Sequence, residues 1–234
     1  VELSPKAVEA IGNIPRVPPV LNSPKVNLII GDGRHYLLTT SKKYDIITSE
    51  PPPPTEAGIV NLYSREYFEL CRSRLNPGGA VAHWLPVMQM SVFEEKTIIK
   101  SFQEVFPYTY LFHGSGLQLI LVGRMEPIEP NLAEIEQRLK GGAPLEKAGL
   151  LSAYDVLASY LAGPEELQQY TVGIPPLTDD HPYLQYHDGN WQPDVGFLLQ
   201  PRPPLMPSDL TPESEKLYKA AVERGRLIRE YQIR

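Results

Sequence analysis

The sequence predicts an α/β fold: a doubly wound, mostly parallel sheet with one late antiparallel strand. Three observations carry this. Short apolar runs of strand length alternate with helical patterns, which places helices on both faces of a parallel sheet. Two of the runs, Val26–Ile30 and Tyr44–Thr48, each end in a small or acidic cluster, Gly31-Asp32-Gly33 and Ser49-Glu50 before Pro51 to Pro54. The series closes on two strand-like runs, Tyr108–Phe112 and Leu117–Val122, around His113-Gly114-Ser115-Gly116, a hairpin signal that supplies the antiparallel strand.

In order along the chain, Val1-Glu2-Leu3-Ser4-Pro5 reads as the end of a strand, and Lys6–Ile11 as the short helix after it. The chain opens inside this pattern and without a methionine, so the expectation is a segment lacking upstream strands. Gly12–Lys25 is a proline-rich loop. A strand over 26–30, a short helix over 34–40 and a strand over 44–48 follow. Loop 49–62 leads to a helix over 64–75, the turn Asn76-Pro77-Gly78-Gly79 and a strand over 80–85. Ser91 with Glu94 three residues on is a capping box. It opens a helix over Val92–Phe106 with Ile98, Ile99, Phe102, Val105 and Phe106 at helical spacing, and Pro107 ends it.

Beyond Gly123 the texture changes. Helices are predicted over Asn131–Leu139, Ala153–Leu161 and, shorter, Pro164–Tyr170. A loop over Leu177–Tyr186 contains Thr178-Asp179-Asp180-His181-Pro182-Tyr183, and Pro193–Pro207 is irregular. A terminal helix, Thr211–Tyr231, has proline at its first helical position and an apolar stripe of Leu217, Ala220, Ala221, Leu227, Ile228 and Tyr231. The expected organisation is an α/β domain over 1–125 and a helical, loop-rich extension over 126–234 packed on it.

The 234 residues are 42% apolar, enough for a sizeable core. A net charge of −6 argues against nucleic acid as a partner and suits a cationic small substrate. The 25 prolines, about twice the usual share, cluster at Pro15–Pro24, Pro51–Pro54, Pro175–Pro176 and Pro201–Pro207, marking rigid connections. Cys71 is the single cysteine, so no internal disulfide forms, and its place beside Leu70 in a helix pattern reads as packing. No run reaches the ~18 apolar residues of a membrane span, and no signal peptide is visible. A cytoplasmic location is expected.

Ligands of open α/β sheets sit at the carboxyl ends of strands. A carboxylate such as Glu2 there can accept from both ribose hydroxyls; the competing reading is a surface acid favouring a helix dipole. Asp32 can accept from an exocyclic amine while Gly31 and Gly33 let a planar ring approach; equally, Asp32 can be an N-cap. Glu50, at a strand tip before four prolines, is placed for acid/base work, and the prolines can wall an aromatic ring; the alternative is a solvated acid on a rigid linker. Tyr63, Tyr67 and Trp84 weigh toward core. Asp179 and Asp180 can cap a helix or hold a cation. His35, His83, His113, His181 and His187 show no metal-ligand spacing, so no metal is expected.

Together these residues resemble the spermidine synthase family, the polyamine aminopropyltransferases, from Val1 to about Val122. Glu2 in VELSP resembles the family's ribose-binding acid and Asp32 in GDGRHYL its adenine-contacting acid. YDIITSEPPPP with LYSREYFELCRSRLNPGG resembles the segment carrying the catalytic Asp. Glu50 stands where that Asp is expected, and prolines stand in place of the following Ser-Asp-Pro. The TSEPPPP, NLYSREYFEL and TDDHPYL forms look closest to a bacterial subgroup fused to membrane transporter-like regions.

The resemblance implies a Rossmann-like S-adenosylmethionine-dependent methyltransferase fold with its first strand and Gly-rich loop missing. It implies transfer of an aminopropyl group from decarboxylated S-adenosylmethionine to an amine, in polyamine biosynthesis. Glu50 would be the base, Glu2, Asp32, Gly33, Glu50 and Pro51 would contact the nucleoside co-substrate, and Tyr63, Asp179 and Asp180 the polyamine. The expected partner is a small polyamine. Nucleic acid is not expected, nor membrane contact by this segment, and a homodimer is the assembly to test. Two other classes stay open: a methyltransferase using S-adenosylmethionine, and a non-catalytic nucleoside- or polyamine-binding domain.

Overall fold

A computed structural model describes residues 1–14, 21–54, 58–114, 118–140, 150–186 and 194–233. The chain divides into two units, Val1–Lys43 and Tyr44–Arg234. The expected loop residues 15–20, the hairpin tip 115–116, Leu117 and His187 lie outside the described residues.

In the first unit, α1 (Pro5–Gly12) starts at Ser4, whose Oγ accepts from the Ala7 amide at 3.2 Å with proline at the first turn. α2 (Gly33–Thr39) starts at Asp32, whose carboxylate accepts from the His35 amide at 2.6 Å. The expected strand 26–30 is not a strand of the sheet. It makes one parallel bridge, Ile30 with Glu2, held by Glu2 N to Ile29 O and Gly31 N to Glu2 O, both 2.9 Å. Val26, Leu28 and Ile30 remain exposed. The period-two apolar pattern specifies a face, but a two-segment contact offers nothing to bury it against.

The second unit holds a five-stranded sheet of β1 (Tyr44–Ser49), β2 (Leu75–Leu85), β3 (Tyr108–His113), β4 (Leu119–Arg124) and β5 (Tyr160–Ala162), in the order β1-β2-β4-β3-β5. β1 and β2 are parallel; β4 runs antiparallel to both β2 and β3, as the hairpin signal predicts. The predicted turn at Asn76–Gly79 is a bulge inside β2: partners step from Tyr44↔Leu75 to Ile46↔Ala80. Gly79 permits it, since a Cβ there would lie 2.9 Å from Asn76 O and 3.0 Å from Asp45 O, both backbone atoms.

Helix α3 (Arg65–Ser73) buries Tyr67, Phe68 and Cys71, and α4 (Val92–Gln103) buries Ile98, Ile99 and Phe102. The Ser91–Glu94 capping box forms as expected. Phe68 meets Phe102 edge-on and Phe102 meets Phe106 tilted, each at 4.8 Å between ring centres. Gly123 of β4 lets α4 approach, because a Cβ would meet the Phe102 and Phe106 rings at 2.5 Å.

Further on lie α5 (Leu132–Lys140), α6 (Ala153–Ala158), α7 (Pro164–Tyr170), α8 (Val195–Leu199) and α9 (Pro212–Ile233). The helix expected over Ala153–Leu161 stops at Ala158, because Tyr160–Ala162 pairs with β3. Residues 195–199, expected to be irregular, form α8 behind the Asp194 cap. The terminal helix packs on a face that shares only Ala221 with the predicted stripe. Tyr218 and Ala221 are buried, whereas Leu217, Leu227, Ile228 and Tyr231 are exposed. The small Gly225 sets that face, since even a Cβ would meet Ala158 O at 3.3 Å.

Two adjacent acids of α4, Glu94 and Glu95, are buried, and Glu94 is taken up by the capping box. Glu95 of α4 is enclosed, with Tyr170 OH at 3.3 Å; the same phenol reaches Asp194 at 3.2 Å, and Lys96 Nζ lies 4.3 Å from the Tyr170 ring centre. Burial, then the Asp194 charge, push the Glu95 carboxyl up to about 8 from an ordinary 4.5. The folded chain therefore keeps this proton over a pH range in which the unfolded chain has lost it. Stability contributed here is full below about 4.5 and is lost as pH rises to about 8. Glu95→Gln is expected to flatten that decline, measured by chemical denaturation at pH 5 and pH 7.5; an unchanged difference between the two would contradict the assignment.

Candidate active site

In the first unit, Glu2, Asp32 and Gly33 occupy one end of the Glu2–Ile30 contact. Glu2 is half-buried and its Oε1 accepts from the Ser4 amide at 2.8 Å, which orients it beside the start of α1. Asp32 follows Gly31, which is bonded to Glu2 O; it caps α2 and is exposed. Among the described residues nothing lies within 4 Å of a Cβ built on Gly33, so the space before this backbone is open.

In the second unit, Glu50 stands at the carboxyl end of β1 and is exposed, while Pro51 and Pro54 are buried. Proline has no amide hydrogen, so this stretch offers acceptors only. The donor comes from Tyr63, whose OH lies 3.1 Å from Pro51 O and 2.9 Å from Pro52 O. Tyr67 OH donates to Ser49 Oγ at 3.1 Å, on the other side of Glu50. Burial, then the nearby Tyr67, raise the Tyr63 phenol far above its ordinary value, so it is a lasting donor. Tyr63 is fully enclosed, which differs from the expected polyamine contact: its hydroxyl is spent on the proline carbonyls behind the site.

The Asp179–Asp180 turn is secured to the same helix start. Ser64 caps α3 by accepting from Tyr67 N at 3.2 Å and donates to Asp179 Oδ1 at 2.6 Å. Asp179 N donates to Glu66 Oε2 at 3.0 Å, and Arg65 N to Leu177 O at 2.9 Å. Leu177 N donates to Ser101 Oγ at 2.7 Å, tying the turn to α4 as well. Thr178 bridges His181 across the turn, leaving Asp180 exposed at its tip. Of the two acids, Asp179 therefore faces the protein and Asp180 faces solvent.

Glu50, Pro51, Tyr63, Asp179 and Asp180 are thus tied to the first turn of α3, while Glu2, Asp32 and Gly33 gather in the first unit. In the sequence, Ser64 and Glu66 carry no role, Tyr67 weighs toward core and His83 is weighed only for metal spacing. The Ser64 cap had a local signal, a serine opening an amphipathic stretch; its bond to Asp179 had none. Among the described residues no group of three or more His, Cys, Asp or Glu could hold a metal ion. None of their helices is long and apolar enough to cross a membrane.

The fold is similar to that of a solved spermidine synthase. The structure is similar to the crystal structure of spermidine synthase from Thermotoga maritima, with a TM-score of 0.52 and 16% identity over 73% of this chain and 58% of that one. In sequence, residues 1–113 match the spermine/spermidine synthase domain. A polyamine aminopropyltransferase of Korarchaeum cryptofilum is 26% identical over 201 residues, 80% of this chain and 61% of that protein. Polyamine aminopropyltransferase 2 of Hyperthermus butylicus is 35% identical over 102 residues, 41% of this chain and 33% of that protein. The chain therefore spans about three fifths or less of the length of these relatives.

The Ser64 bonds make a stability prediction. Ser64→Ala loses both the cap and the tie to Asp179 and is expected to cost about 1–2 kcal/mol. Asp179→Asn keeps an acceptor for Ser64 and should cost less. Denaturant midpoints measure both; a Ser64→Ala midpoint equal to wild type would contradict the geometry.

Proposed function

We propose that this chain carries out aminopropyl transfer from decarboxylated S-adenosylmethionine to a small polyamine in the cytoplasm, as part of polyamine biosynthesis. The observation that carries the reading is Glu50, an exposed carboxylate at a strand's carboxyl end, whose neighbours Ser49 and Pro51 are bonded by tyrosines at the start of the helix that also secures Asp179. The names of the relatives and the match over residues 1–113 support it. The TSEPPPP and TDDHPYL forms further suggest the subgroup fused to transporter-like regions.

In this reaction the amine nitrogen attacks the carbon next to the sulfonium. A C–N bond forms, the C–S bond breaks with its electron pair left on sulfur, and methylthioadenosine departs. Free alkyl amines have a pKa near that of Lys, about 10.4, so the attacking nitrogen must shed a proton. A positioned carboxylate contributes roughly 10²–10⁴-fold, and Glu50 fills that role. In the first unit, Glu2 accepts from the ribose hydroxyls and Asp32 from the adenine amine, with open space before Gly33 for the ring. Asp180 meets the far ammonium of the acceptor, supplying the charge that the missing Ser-Asp-Pro acid would give.

A second reading has its own support. Glutamate in place of the expected aspartate, and prolines in place of Ser-Asp-Pro, favour a domain that binds nucleoside without turnover. Two variants separate the readings. Asp32→Ala is expected to weaken methylthioadenosine binding at least about tenfold, since a hydrogen bond to a charged group is worth about 1.5–3 kcal/mol. Unchanged affinity in calorimetry removes Asp32 from the site. Glu50→Gln is expected to lower turnover on the order of 10²-fold with nucleoside binding kept. Wild-type protein that binds methylthioadenosine and transfers nothing to any amine selects the binding domain.

A further inference from the structure

We propose that Tyr67 and Tyr63, braced on the buried ring of His83, are the positioning residues of Glu50. The inference rests on Glu50 being the base. β1 is an edge strand in its sheet, with β2 as its one strand neighbour among the described residues. Past Ser49 the chain enters Pro51–Pro54, which can give no backbone hydrogen bond. A carboxylate on such a strand end would sweep a wide volume unless donors arrive from elsewhere. The two phenols supply them on both sides of Glu50: Tyr67 OH to Ser49 Oγ before it, and Tyr63 OH to the Pro51 and Pro52 carbonyls after it.

The phenols are themselves fixed. Tyr63 and Tyr67 lie four residues apart across the start of α3, and both rings meet His83. Tyr63 stands edge-on to it at 4.9 Å between centroids and Tyr67 at 6.4 Å, while Phe68 closes a third side at 5.1 Å. His83 is the residue of β2 paired in register with Ser49. The loop of contacts therefore closes on itself: Ser49 to His83 through the sheet, His83 to the Tyr67 ring, and Tyr67 OH back to Ser49. His83 is fully buried, and neither ring nitrogen has a hydrogen-bond partner among the described residues. Burial holds the imidazole neutral, well below its usual range. It serves here as a flat ring that the tyrosines pack against, not as a proton carrier.

The placement matters because general-base catalysis falls steeply with misplacement of the base. The test uses Tyr67→Phe and Tyr63→Phe in the complete protein, alone and combined with Glu50→Gln. Phenylalanine keeps the ring contact with His83 and removes only the donor. Each tyrosine variant is expected to lower kcat roughly tenfold with the KM for decarboxylated S-adenosylmethionine unchanged, and to add no further loss in the Glu50→Gln background, because its effect runs through that carboxylate. Backbone amide exchange at Ser49 and Glu50 is expected to speed up in both variants while global stability allows the same fold. A loss that is equally large in the Glu50→Gln background overturns the proposal. So does unchanged exchange at Ser49 and Glu50, whatever the activity. Full activity of Glu50→Gln by itself overturns the base reading, a failure recognisable from that single variant, and Tyr67 and Tyr63 then have no base to position.

Discussion

A strand end that runs into consecutive prolines can accept hydrogen bonds but cannot give them, and the architecture around Glu50 follows from that constraint. The missing donors are supplied by Tyr63 and Tyr67 at the start of α3. For these phenols to be rigid, their rings must be buried, and they are, against His83 and Phe68. Phe68 in turn packs on Phe102 of α4, so the same aromatic column reaches the middle of the core. Ser64, between the tyrosines, reaches Asp179 and so ties a turn 115 residues away to the same point. One helical turn thus sets the strand end, an acidic loop and part of the core together.

The cost of this arrangement is visible in the polar groups it buries. A neutral imidazole without hydrogen-bond partners among the described residues is retained where an apolar ring would avoid a desolvation penalty of about 1–3 kcal/mol. Glu95, by contrast, lies on the side of α4 that faces Tyr170, whose hydroxyl donates to it and also lies 3.2 Å from Asp194. The two buried groups differ in kind: His83 has its charged form suppressed by burial alone, while Glu95 responds to burial and to a neighbouring carboxylate.

What the sequence made legible was whatever local chemistry specifies. The Ser91–Glu94 box, the alternation of β1, α3, β2, α4 and β3, and the antiparallel β4 all follow from caps, periodicity and turn residues. Glu50 and the Asp32 cap were found because strand ends and helix starts carry their own signals. The remainder depends on partners distant in sequence. Tyr160–Ala162 is a strand only because β3 is there to pair with it. The packed face of α9 is chosen by Gly225 against Ala158, which a stripe of large apolar residues does not reveal. Val26–Ile30 has the pattern of a strand and a single bridge to satisfy it. Tyr63 weighed toward core as a residue and toward the polyamine only by resemblance; it is buried, with its hydroxyl on the Pro51 and Pro52 carbonyls.

The central claim is that the held carboxylate at the end of β1 serves aminopropyl transfer. The most direct measurement is product analysis by mass spectrometry after incubating the complete protein with decarboxylated S-adenosylmethionine and a panel of di- and triamines. The account predicts methylthioadenosine and an aminopropylated amine in equal amounts for at least one acceptor. Nucleoside bound to the protein with neither product formed from any amine would contradict it.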